Sequence, residues 1–107
     1  MPPASTTPLL PATAQRLARL FSGADRDCAQ RLLEEECGTH LPLINGPDDL
    51  RIERCRCAAL KLSGGDIRQL EEAVKLANLD WRDLLVAAGF ANDPLAHQRW
   101  MPEAKDT

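Results

Sequence analysis

The sequence contains no tyrosine, and its aromatic residues amount to only 4% of 107 positions. A core so poor in aromatics must rest on leucine and alanine, and that composition favours helices over sheets. There is no basic excess either. Thirteen Lys and Arg against sixteen Asp and Glu leave a net charge of −3. General binding to nucleic acid or to an anionic membrane wants a basic face, so neither is an expected partner. Long hydrophobic runs are missing. The longest, residues 84–91, is interrupted by Gly89 and is too short to span a bilayer. No basic segment precedes the apolar pair Leu9–Leu10, so no secretory signal is expected. A cytoplasmic setting follows, with Cys28, Cys37, Cys55 and Cys57 as thiols.

Histidine is scarce as well. His40 and His97 are the only two, and neither stands in a Ser-His-Asp or Cys-His signature. The sequence therefore assigns no catalytic residue and no cofactor.

What is present is helical patterning. Pro2, Pro3, Pro8 and small polar residues make positions 1–10 an expected disordered tail. The spacing of Ala14, Leu17, Ala18 and Phe21 predicts a helix over 11–21, with Arg16 and Arg19 off its apolar face. A second helix is expected over 25–37, capped by Asp25 and buried along Ala29, Leu32, Leu33 and Cys37. Its acidic run Glu34–Glu35–Glu36 lies at the wrong end for the helix dipole. Residues 38–46 read as an unusually apolar loop containing Leu41, Leu43 and Ile44.

A third helix is expected over 47–63, with Ile52, Cys55, Ala59 and Leu62 on one stripe. A strand competes there, because residues 50–57 partly alternate. Asp66 is positioned to cap a fourth helix reaching Asn78, and Asp80 a fifth ending at Gly89. Leu79 and Leu84 have the spacing of a hydrophobic staple, and Phe90 can touch Leu85 beyond the helix end. One short turn could follow through Trp100, with residues 102–107 frayed. The expected fold class is all-α: a compact bundle of about five short helices, residues 11–101, behind the tail.

Few residue groups suggest chemistry. Cys37-x2-His40 with Cys55-x-Cys57 faintly resembles a zinc site. In a helix, however, Cys55 and Cys57 point about 200° apart and cannot share one ion. No metal ligand is therefore assigned. Gly64–Gly65–Asp66 lacks the lysine and preceding strand of a phosphate loop and reads as a turn between helices. Arg51, Arg54, Arg56 and Lys61 make the third helix locally basic. Trp81 and Trp100 are aromatics that could serve either core or interface.

Residues 58–90 carry a resemblance. The block LKLSGGD, a Leu/Ala helix and then DWRDLLVAAGF is similar to one in a group of short bacterial proteins with no known activity. It covers about a third of the chain and implies no site residue. Arg82 and the identity of Trp81 are what capping and turn rules leave unexplained in it. The expectation is a small cytoplasmic interaction module without catalytic activity, binding a protein partner or a second copy. Its surface would include Trp81, Arg82, Trp100, Arg51 and Arg54. Two alternatives remain: a nucleic-acid accessory protein using the basic third helix, and a small zinc protein.

Overall fold

The computed structural model describes residues 8–38, 49–93 and 95–102. Five helices follow in order: α1 (Pro11–Leu20), α2 (Gly23–Glu36), α3 (Asp49–Ser63), α4 (Ile67–Ala88) and α5 (Ala96–Arg99). No strand occurs among the described residues. The radius of gyration, 12.6 Å, suits a single packed domain of this length. The apolar loop expected over 38–46 lies outside the described residues, save for Gly38, which is buried.

α3 is the central element. It packs most extensively against α4 and also meets α1 and α5. The helical reading of this segment holds, and the alternating strand does not form. Cys55, Cys57, Ala58 and Ala59 are all fully buried, and such small side chains let neighbouring helices approach from more than one side. Leu17, Phe21, Leu33, Leu70, Val74, Leu84 and Leu85 close over them.

α1 buries a face rotated by one residue from the expected one. Leu17 and Phe21 are buried, but so are Thr13 and Arg16, while Ala14 and Ala18 are exposed. The rotation has a polar cause. Arg16 Nε donates to the carbonyl of Trp100 at 2.8 Å, and one terminal nitrogen donates to that of Gln98 at 3.3 Å. Arg19 donates likewise to Pro102 at 3.3 Å. Two arginines thus hold the segment after α5 against α1. At the other end of the chain, Leu9 packs on the core and the Pro8 carbonyl accepts a bond from Arg56.

α2 begins two residues before the expected cap. Ser22, not Asp25, is the N-cap residue, and it makes no side-chain capping bond. Asp25 lies in the first turn, where its charge favours the helix dipole.

The caps within α4 follow the sequence closely. Asp66 Oδ1 accepts from the backbone N–H groups of Arg68 and Gln69. The fourth and fifth expected helices run on as one element, but its backbone breaks at Asp80 (φ −157°, ψ 96°). There Asp80 Oδ1 accepts from Arg82 N–H at 3.1 Å and Asp83 N–H at 3.4 Å, restarting the helix. At the far end Gly89 is left-handed, with φ +80°. The Gly89 N–H donates to Val86 and the Phe90 N–H to Leu85, which is a Schellman closure.

Leu79 departs from expectation. It is 83% exposed and does not staple over Leu84. The reason is geometric. The preceding helix runs directly into the cap, so Leu79 keeps that helix's direction, about 200° from buried Ala77.

Removing the Asp80 cap with Asp80→Ala should cost ~1 kcal/mol, whereas Leu79→Lys should stay within about 0.5 kcal/mol. Urea unfolding of both variants checks the pair; equal losses would place Leu79 in the packing after all. A larger loss is expected inside α3. Arg56 is 1% exposed and donates to the carbonyls of Cys37 (2.8 Å) and Pro8 (3.0 Å), with Glu53 3.6 Å away. Arg56→Met should destabilise by roughly 3–5 kcal/mol, because it leaves Glu53 and both carbonyls without their cation. Adding Glu53→Gln should recover part of that loss.

Candidate functional site

The four cations of α3 prove to have different tasks. Arg54 donates to the carbonyl of Phe90 at 2.8 Å, and Lys61 Nζ to that of Ala88 at 2.9 Å. Lys61 also stands 5.0 Å from the centre of the Phe90 ring. Arg56 is buried, as described. These three side chains therefore bond helix ends inside the fold. Arg51 instead lies over the indole of Trp81, 5.5 Å from its centre.

Trp81 is the floor of a surface groove. It is 9% exposed and belongs to the core, with the opening lined by Arg54, Arg82, Leu85, Val86 and Ala91. The groove encloses about 310 Å³. Arg82 approaches the indole at 5.9 Å, so guanidinium groups from α3 and α4 both meet this ring. Such contacts are worth about 0.5–1 kcal/mol each where solvent reaches them, and they fix the arginines more than they stabilise the fold. Val86 at the groove and Leu79, seven residues before it across the Asp80 break, are 64% and 83% exposed. Asp80 lies 4.0 Å from Arg82 Nε, and Asp93 is close enough to Arg54 to feel its charge.

Four of the five residues expected at an interaction surface thus gather here: Trp81, Arg82, Arg51 and Arg54. Trp100 does not line the groove. It is half-buried, and its ring packs against Phe90 at 6.3 Å and 59°.

A second locus carries no sequence signature. Thr13, Glu53 and His97 are all buried and, with Arg16, line a separate cavity of about 440 Å³ between the starts of α1 and α3 and the α5 turn. Thr13 Oγ1 donates to Glu53 Oε1. Burial pushes the Glu53 carboxyl above its ordinary value of 4.5, and the nearby Arg56 and Arg16 offset this only in part. Sequence periodicity could not find this group, because its members come from three helices and a threonine on an apolar face draws no notice. The single hint is Glu53, an acidic residue among the arginines of α3 and next to buried Ile52.

Among the described residues no group of three or more His, Cys, Asp or Glu side chains converges to hold a metal ion. His40, part of the faint zinc pattern, lies outside the described residues. Burial raises the Cys55 thiol to about 12 and the Cys57 thiol to about 11; Cys37 is raised further, by burial first and then by Cys55. None of these three is a thiolate at neutral pH, so none is a ready nucleophile.

A scan against models of protein families found no match, and searches of curated proteins and of solved structures found none either.

The thiols provide a check on this burial. Cys28 alone is partly exposed. It should react with a disulfide reagent quickly in the native protein, and Cys37, Cys55 and Cys57 only on unfolding. Four equally fast thiols would contradict the packing around α3.

Proposed function

We propose that this chain is a small protein-interaction module, and that it docks its partner on the α3–α4 face around Trp81. The observation that carries the reading is the groove itself. An apolar floor of Trp81 and Leu85 is lined by Arg54 and Arg82, with Arg51 over the Trp81 ring and Val86 exposed beside it. Tryptophan and arginine are the side chains most often found as anchors of interfaces. The face is cationic on a chain whose net charge is −3. Its complement is an acidic segment of another protein with apolar side chains at helical spacing.

The nucleic-acid alternative draws less support. Of the four cations that suggested it, Arg54, Arg56 and Lys61 donate to carbonyls of their own chain. A surface that follows a phosphate backbone needs such groups turned outward. Location fits the reading too: four cysteines without a disulfide suit the reducing cytoplasm, and no helix of the described residues is long and apolar enough to cross a membrane.

Affinity capture from a lysate, compared between the unaltered chain and surface variants, tests the proposal. Arg82→Glu and Val86→Glu should each weaken capture of a specific protein about tenfold or more. Lys75→Glu, elsewhere on α4, should leave it unchanged. Capture that ignores all three substitutions would remove the docking face from Trp81. Self-association lost in the same two variants would identify the partner as a second copy.

A further inference from the structure

The larger cavity shares no residue with the Trp81 groove. Its volume, about 440 Å³, lies within the range of small-molecule sites. One end is apolar, formed by Leu10 and Ala12 near the start of α1 and Leu50 at the start of α3. Leu10 and Leu50 are 51% and 41% exposed, so each leaves apolar surface in water that a ligand would cover. The other end is polar. Thr13, Glu53 and His97 are each more than nine-tenths buried there. Asp49 stands one turn before Glu53 on the same face of α3 and lines the cavity with it.

We infer that this cavity binds a small amphipathic cation, a primary amine on an apolar body, with the ammonium held between the carboxylates of Asp49 and Glu53. The sign of the charge follows from where the arginines point. Arg16 lines the cavity, but its Nε and a terminal nitrogen are committed to the carbonyls of Trp100 and Gln98. Arg56 lies behind Glu53 and is aimed at the carbonyls of Cys37 and Pro8. Beside the His97 imidazole and the Gln98 amide, the polar atoms offered to a ligand are oxygen acceptors: two carboxyl groups and the Thr13 hydroxyl oxygen, whose proton is given to Glu53. An anion would meet both carboxylates and would have to draw Arg16 away from its carbonyls. An ammonium group placed between Asp49 and Glu53 meets their carboxyl oxygens, and it adds to the partial compensation that Arg56 and Arg16 already give the buried Glu53.

The site is independent of the docking face, so the two readings can fail separately. Amide NMR titrations with 2-phenylethylamine, 2-phenylethanol and phenylacetate near neutral pH test it. The amine should give saturable shifts centred on residues 10–13 and 49–53, with a dissociation constant about tenfold or more below that of the alcohol. Phenylacetate should give none at the same residues. Asp49→Asn, at an exposed position, should weaken the amine severalfold, and Glu53→Gln should abolish its preference over the alcohol. Val86→Glu should change nothing. The inference is overturned if the amine gives no saturable shifts, if the alcohol binds equally well, or if Asp49→Asn leaves amine binding unaltered.

Discussion

A helix ends with carbonyls that have no partner inside it. In this fold α2 and α4 both end without a basic side chain in their last turn. The central helix supplies what they lack. Arg56 reaches the carbonyl of Cys37, just past α2, while Lys61 and Arg54 reach those of Ala88 and Phe90, where α4 ends. A cation at the C-terminal end also opposes the helix dipole, which the Glu34–Glu36 run at the end of α2 leaves exposed. The position of α3 between its neighbours therefore rests on charge as well as on Cys55, Ala58 and Ala59.

This constraint orders the functional reading. Cations that secure helix ends are not available to follow phosphates, and the cations that meet the Trp81 ring are Arg51 and Arg82. The same economy shapes the other end of the molecule. Arg16 fixes the segment after α5, which brings His97 over Thr13 and Glu53 and encloses the larger cavity. Arginines that bond backbone thus stand beside both openings: Arg54 at the Trp81 groove and Arg16 at the larger cavity.

The legible part of the fold was the part with local causes. Asp66, Asp80 and Gly89 act within a few residues of themselves, and each does what its position implies. The stripe of Leu70, Val74 and Ala77 likewise depends only on helical period. What could not be read has distant partners. Arg16 looks like a solvated residue until Trp100, 84 positions away, is placed beside it. Arg56 looks like part of a basic surface until Cys37, 19 positions away, accepts its proton donor. The gathering of Trp81, Arg82, Arg51 and Arg54 was legible as a list of residues but not as a groove. Trp100 was left out of that groove because its ring packs on Phe90.

The central claim is that Arg56 is an internal cap and not a surface cation. Scalar coupling across the hydrogen bond from Arg56 Nε–H to the Cys37 carbonyl, measured by NMR, addresses it most directly. The account predicts a resolved coupling and an Nε–H that exchanges with water far more slowly than that of exposed Arg82. An Arg56 Nε–H with no coupling to Cys37, exchanging as fast as Arg82, would contradict it.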